Sequence, residues 1–299
     1  FRKTHVGDIH LTMSVGFIGG LAAMSASFLT HPMDSLRVRM FLHGELHAHH
    51  VPRLRLVGHI FQREGLPIFY KGLSTTLLRQ ALWSGTRFSV NDSVQQSFGG
   101  KESLSFHKRL ASSALAGGVG ALVSSPFDAA LIQMQGTTKA MKHKQHLNGT
   151  WQKPNGVPTG GHRMLHQALA PAIVRGCAVT GMQFTAYDVT KAALGWTTSA
   201  EWPEKGFLKC ATAGMVSGAL TAVVVCPIDV LKAHQLNLAT SAVGPATQHT
   251  KSIISTYKSG GVKAFYRGFV PAVVRHTPQV TLMWMFYEYY SHLWQQNWD

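Results

Sequence analysis

Three copies of one short pattern divide this sequence into thirds: Pro32-Met33-Asp34, Pro126-Phe127-Asp128 and Pro227-Ile228-Asp229. The copies are spaced by about a third of the 299-residue chain, and each lies near the end of a stretch without charged residues. Self-similarity at a fixed period indicates a repeat architecture. The sequence therefore predicts three repeats, at residues 1–100, 101–199 and 200–299.

The stretches around these patterns are long enough to cross a membrane. Residues 9–33, 110–127 and 210–228 contain no Asp, Glu, Lys or Arg, and residues 165–187 and 268–287 contain one arginine each. A membrane-spanning helix needs about 20 mostly apolar residues. Pairs of small residues four apart recur upstream of each proline, which favours close helix packing in lipid. These pairs are Gly19 and Ala23, Ser113 and Gly117, and Gly214 and Gly218.

Each repeat has the pattern of a long helix, a loop with a short amphipathic helix, and a second long helix. A proline inside a helix usually ends or kinks it, but the helical pattern continues beyond Pro32, from Arg37 to Met40, and beyond Pro126, from Leu131 to Met134. Membrane helices tolerate such kinks. We therefore predict an all-α membrane protein with six transmembrane helices in three homologous two-helix repeats.

Loop charge predicts the orientation in the membrane. The three loops inside the repeats, at 43–71, 136–166 and 239–267, carry 13 Lys and Arg against two Glu. Because basic loops tend to stay on one side of the membrane, all three are expected to face the same compartment. Both termini would then face the other side.

A second mark supports a family resemblance. Repeat one contains Glu64-Gly65 followed by Tyr70-Lys71-Gly72, and repeat three contains Gly260-Gly261 followed by Tyr266-Arg267-Gly268. Repeat two has lost this mark at 166–168. Together with the three Pro-x-Asp copies, these residues make the chain resemble the mitochondrial carrier family over nearly its whole length.

That resemblance implies a pseudo-threefold bundle of six helices around a cavity that opens alternately to either side of the mitochondrial inner membrane. It also implies cardiolipin bound near Gly72 and Gly268, and no other cofactor. The segments 77–80 and 130–132, with Arg275 and Pro278, look like the 2-oxoglutarate/malate and dicarboxylate carrier branch. Both termini are expected in the intermembrane space.

Three arginines occupy matched positions in the three repeats. Arg79, Arg175 and Arg275 each lie 12 residues before an equivalent position, namely Asn91, Tyr187 and Tyr287. An arginine at the bilayer centre costs about 2.5–3.5 kcal/mol on insertion scales, so we expect the three to face a shared wet cavity. Guanidinium groups bind carboxylates bidentately, which favours a small dianion. The alternative is a structural role, for which Arg79 is the strongest candidate.

The resemblance assigns further roles to single residues. It places Arg87, Arg175 and Arg275 at the substrate contact points, beside Gly176 and His276. It implies a matrix gate formed by the three Pro-x-Asp patterns with two basic partners, Arg37 and Lys232; the third basic position is Leu131. It implies a cytoplasmic gate of Asp92, Asp188, Lys191 and Glu288.

The predicted function is therefore exchange of small dicarboxylates across the inner membrane by a monomeric carrier. Two alternatives remain: a carrier-derived structural subunit of a respiratory complex, because repeat two and both gates are incomplete, and a leak for protons or fatty-acid anions.

The net charge is +15, but the basic residues lie between the apolar spans, which argues against nucleic-acid binding. No catalytic constellation stands out, so we expect no enzyme. The histidines of the loops at 43–50 and 143–166 are expected to be solvated and not to bind a metal.

Overall fold

The computed structural model describes residues 13–33, 70, 72–99, 104–136, 161–195, 206–238, 257, 260–266 and 269–298. Within these residues every regular element is a helix. The helices are α1 (Met13–Met33), α2 (Leu73–Ser97), α3 (Phe106–Gly136), α4 (Gly161–Ala193), α5 (Gly206–Leu238), α6 (Val262–Phe265) and α7 (Phe269–Trp298). Six of them are long, and α6 is a single turn.

The prolines of the second and third repeats lie inside continuous helices. Helix α3 runs through Pro126 to Gly136, and α5 runs through Pro227 to Leu238. The continuation beyond Pro126 was predicted from the apolar pattern, whereas the predicted continuation beyond Pro32 lies outside the described residues. The continuation beyond Pro227 places Asp229 on the same helix as the small residues that precede Pro227, so its position is fixed by the packing of α5.

The six long helices form a closed ring. Helices α2 to α5 pack in chain order, and α5 also packs against α7. Helix α1 closes the ring, because it packs against α2 through Gly19 and Phe88 and reaches α7 through a hydrogen bond of 2.9 Å between the Ser25 and Tyr290 hydroxyls. A ring of this kind leaves room for a cavity along its axis.

Glycine allows the closest helix contacts. A Cβ atom on Gly176 would lie 2.5 Å from the carbonyl oxygen of Gly117, so α3 and α4 meet backbone to backbone. A Cβ on Gly218 would lie 2.7 Å from the Cα of Thr277, which brings α5 equally close to α7. The small-residue pairs predicted from the sequence therefore lie at helix contacts.

The surface of the bundle is more apolar than that of a water-soluble protein. Large apolar side chains face outward, including Phe17 with 60% of its surface exposed and Leu208 with 73%. Polar side chains such as Gln80, Ser84 and Gln183 are buried inside. An apolar exterior around an interior that includes buried polar side chains is the arrangement that lipid favours.

Two described helices are long and apolar enough to cross a membrane by length and composition alone. They are Met13–Met33 and Gly206–Leu231. The other long helices carry charged or polar residues on one face, among them Arg79 and Arg87 on α2 and Arg175 on α4. Since those side chains line the interior of the ring, the lower overall hydropathy of these helices reflects an inner polar face.

Candidate functional site

A cavity of about 110 Å³ lies at the centre of the ring. Four arginines and one histidine line it, and they come from the second long helix of every repeat, α2, α4 and α7. The predicted substrate-contact residues that line it are Arg79, Arg87, Arg175, Gly176, Arg275 and His276. All six positions predicted as substrate contacts thus meet at one cavity.

Polar neutral side chains complete the wall. Gln80, Gln183 and Gln279 line the cavity from α2, α4 and α7, and Ser124 lines it from α3. These groups offer hydrogen bonds without adding charge. The cavity is therefore strongly cationic, with a neutral polar lining between the guanidinium groups.

Arg175 already holds a carboxylate. Its Nε donates to Oδ1 of Asp229 at 2.7 Å, which joins α4 to α5. The two side chains keep 25% and 31% of their surface exposed. The sequence had suggested Arg37 and Lys232 as the basic partners of the Pro-x-Asp acids, whereas the described partner of Asp229 is an arginine of the cavity. The reason is helix packing: α4 and α5 are neighbours in the ring.

Arg87 has quite different surroundings. It is 1% exposed, its Nη1 donates to Oε1 of Gln183 at 3.0 Å, and its Nη2 donates to Sδ of Met283 at 2.9 Å. The guanidinium carbon lies 4.0 Å from the centroid of the Trp83 ring and 5.2 Å from that of Phe184. Aromatic faces attract a cation at such distances, so these rings and the two hydrogen bonds hold Arg87 at one end of the cavity.

An aromatic layer closes the bundle beyond Arg87. We use this name for Phe88, Phe184, Tyr187, Trp284 and Tyr287. Trp284 stacks on Tyr187 with ring centroids 3.7 Å apart, and Phe88 stacks on Tyr287 at 4.7 Å. Four of these rings belong to the buried core, and the ring of Tyr287 is partly buried against it. The layer separates the cavity from the side chains on its far side.

An ion pair lies on that far side. Nζ of Lys191 on α4 is 2.8 Å from Oε1 of Glu288 on α7, and the Tyr187 hydroxyl donates to the same oxygen at 3.0 Å. The Glu288 side chain is 3% exposed. Both residues belong to the predicted cytoplasmic gate, and the structure brings them together across two repeats.

The other two acids of that predicted gate have different partners. Asp188 lies 4.0 Å from Nη1 of Arg109, a cation on α3 that the sequence pattern did not single out. Asp92 accepts a hydrogen bond of 2.7 Å from Nε2 of Gln96 on its own helix. The contact between Lys191 and Glu288 is thus a close ion pair, whereas Asp188 and Arg109 lie at the distance limit of one.

Several positions of the predicted gates and lipid sites lie outside the described residues. Asp34, Arg37 and Gly268 are outside the described residues, as are the side chains of Pro126, Asp128 and Lys232. The histidines at 43–50, 143 and 146 are also outside the described residues, whereas His162 and His166, predicted to lie in a loop, fall within helix α4. Pro32 lies near the end of α1. Gly72 has a φ of 87° immediately before α2, a conformation that glycine adopts at little cost.

The structure adds residues that the sequence did not indicate, chiefly Gln183, Met283 and Trp83. One signal was present for Gln183, because it lies one helical turn before Tyr187 and two turns after Gly176 on the same face of α4. Met283 lies on the corresponding face of α7, two turns after His276 and one before Tyr287. Gln183 and Met283 are neutral and belong to no sequence motif, so only their contacts with Arg87 show that they matter.

The sequence is similar to those of known mitochondrial proteins. The model of the family described as mitochondrial carrier protein matches it three times, at residues 11–102, 102–197 and 203–298. The chain is 32% identical over 292 residues to a probable mitochondrial 2-oxoglutarate/malate carrier protein of Dictyostelium discoideum, covering 94% of this chain and 89% of the relative.

Two further relatives show the range of proteins it resembles. Mitochondrial uncoupling protein 5 of Arabidopsis thaliana is 28% identical, with 89% of this chain and 93% of the relative covered. The mitochondrial dicarboxylate carrier of Caenorhabditis elegans is also 28% identical, with 91% of each chain covered. The family model matches three consecutive stretches, and the Dictyostelium discoideum relative is 32% identical over 94% of this chain. The chain therefore belongs to the mitochondrial carrier family.

Proposed function

We propose that this chain is a carrier of the mitochondrial inner membrane that exchanges small dicarboxylates, such as malate and 2-oxoglutarate, by alternating access. The observation that carries the proposal is the convergence of Arg79, Arg87, Arg175 and Arg275 on one cavity from three repeats. The names of the Dictyostelium and Caenorhabditis relatives support this substrate class. Members of the family are transporters, so we assign the chain no catalytic reaction.

The chemistry of the cavity suits carboxylates. Planar guanidinium groups bind them in a forked, bidentate geometry that lysine cannot reproduce. The single hydrogen bond from Arg175 Nε to the Asp229 carboxylate supports carboxylate binding by a guanidinium at the edge of this cavity. A second carboxylate of a short dianion would reach Arg275 or Arg87, with His276 and the glutamines as additional donors.

Alternating access requires each end to close in turn. In the described conformation the aromatic layer and the Lys191–Glu288 pair close one end of the cavity. Carriers built from repeats switch by moving these repeats around a central site, and substrate supplies the differential binding energy. We propose that the closed end faces the intermembrane space, together with both termini, and that the Pro-x-Asp end faces the matrix.

Lipid is the further partner that we propose. Gly72 and Gly268 would offer backbone donors to cardiolipin at the start of α2 and α7, and the carrier would function as a monomer. These assignments depend on the family resemblance and on the backbone geometry at Gly72.

Exchange by purified protein in liposomes tests the proposal. The wild-type chain should exchange labelled malate for internal 2-oxoglutarate, and Arg275→Gln should lower the rate by roughly 100-fold, because losing one partner of a buried charge contact costs several kcal/mol. Lys108→Gln, which removes an exposed cation on α3, should leave exchange near the wild-type rate. Equal rates for Arg275→Gln and wild type would refute the proposal.

A second candidate is a leak for protons or fatty-acid anions, favoured by the similarity to uncoupling protein 5 of Arabidopsis thaliana. The same liposomes distinguish it. Proton conductance that rises with added fatty acid, without malate exchange, would support the leak. Copurification with a respiratory complex at fixed stoichiometry, with neither activity, would support a structural subunit.

A further inference from the structure

The surroundings of Arg87 are unusual for a buried cation. Its side chain is 1% exposed, and within the described residues it forms no ion pair: its hydrogen-bond acceptors are the Gln183 amide and the Met283 sulfur. Its Nε is buried without a hydrogen-bond partner. Buried charges are normally paired, because neutral acceptors compensate them incompletely. Arg87 is therefore a buried, only partly satisfied cation on the wall of the cavity.

The two acceptors lie on different repeats. Arg87 belongs to α2, Gln183 to α4 and Met283 to α7, so two hydrogen bonds join the second long helices of all three repeats at one point. The Gln183 amide also lies 3.6 Å from the Met283 sulfur, which closes a triangle of contacts. This triangle lies between the cavity and the aromatic layer.

The acceptors are also weak competitors for the guanidinium. A thioether is a poor hydrogen-bond acceptor, and a neutral amide oxygen is poorer than a carboxylate. A carboxylate entering the cavity would therefore replace them at Arg87 and supply the missing negative charge. Arg175 differs, because Asp229 already compensates it.

We propose that Gln183 and Met283 are positioning residues that hold Arg87 in the empty carrier, tie the three repeats together at the closed end, and release Arg87 to a substrate carboxylate. This inference rests on the proposed exchange function. The hydrogen bonds from Arg87 to Gln183 and Met283 keep the unloaded carrier from changing conformation, and the substrate carboxylate breaks them. Exchange is thereby favoured over one-way transport.

The test compares net malate uptake into unloaded liposomes with exchange into liposomes loaded with malate. Met283→Leu and Gln183→Leu each remove one acceptor with little change in volume. Each should raise the ratio of net uptake to exchange about tenfold, the factor expected for losing one hydrogen bond to a charged group. Met285→Leu is the matched control, because Met285 packs against the core and is no partner of Arg87.

Gln183→Glu should act in the opposite direction. A fixed carboxylate would compensate Arg87 and compete with malate, so the ratio of net uptake to exchange should fall and the KM for malate should rise. A purely structural role for Gln183 would instead make both Gln183 variants change transport in the same direction, and that result would overturn the inference.

The outcomes separate the two proposals. Wild-type exchange with an unchanged ratio in Met283→Leu overturns the inference and leaves the proposed function standing. Absence of exchange by the wild-type chain overturns the proposed function. If Gln183→Leu does not fold, the ratio measured for Met283→Leu decides.

Discussion

Two ion pairs join different repeats at opposite ends of the cavity, and their environments differ sharply. Lys191 and Glu288 lie 2.8 Å apart beyond the aromatic layer, with 19% and 3% of their side chains exposed. Arg175 and Asp229 lie 2.7 Å apart at the cavity, with 25% and 31% exposed. The first pair is isolated from the cavity by packed rings, whereas one member of the second pair lines it.

The difference shows how one bundle can close one end firmly and leave the other responsive. A buried pair is costly to break, because either charge alone is left without compensation. A partly exposed pair exchanges partners more easily, and a substrate carboxylate can replace Asp229 at Arg175. The comparison predicts that the first pair controls stability and that the second controls binding.

The largest effect is expected at the buried pair. Lys191→Met leaves the Glu288 carboxylate buried with the Tyr187 hydroxyl as a remaining donor, so the free energy of unfolding should fall by about 3 kcal/mol. Unfolding of the purified protein in detergent measures this change.

A double variant serves as the control. Lys191→Met with Glu288→Gln removes both charges and should recover most of the lost stability. Equal destabilisation of the single and double variants would show that the ion pair is not the cause.

A smaller effect is expected at the cavity pair. Asp229→Asn releases the Arg175 guanidinium, and a partly exposed pair is worth about 1 kcal/mol, so malate should bind about fivefold more tightly. A binding isotherm for malate measures the change.

Asp188→Asn tests whether position or net charge matters. It removes the same charge from a carboxylate that lies 4.0 Å from Arg109 and away from the cavity lining. Malate affinity should stay near that of the wild type. If Asp229→Asn and Asp188→Asn bind malate equally tightly, net charge and not the position of the carboxylate controls binding.

The sequence predicted much of this fold because repeated positions carry strong constraints. Three Pro-x-Asp copies predicted three repeats, and three family matches confirmed the family. The pairs Gly117 with Ser113 and Gly218 with Gly214 predicted close helix contacts, because small side chains at one face of a helix serve little other purpose in lipid. Six membrane spans remain a prediction, because only two of the described helices are long and apolar enough to cross a membrane by length and composition.

The charged residues of the site were the part that the sequence predicted. Arginine is expensive in lipid, so Arg79, Arg175 and Arg275 at matched positions predicted a shared cavity. Partners were harder to predict: the Arg175–Asp229 pair depends on which helices are neighbours, and Gln183 and Met283 are neutral residues with no pattern of their own. Which side chains pair across a ring of helices depends on how each helix is rotated about its own axis. No local sequence pattern specifies that rotation.

The most direct test of the cavity as a dicarboxylate site is the thermal stability of the purified protein with added ligand. A ligand that binds the folded state raises the Tm with concentration. Malate and 2-oxoglutarate should raise it for the wild type, and the uncharged dimethyl ester of malate should not. An equal rise with the ester, or no rise with either acid, would contradict the account.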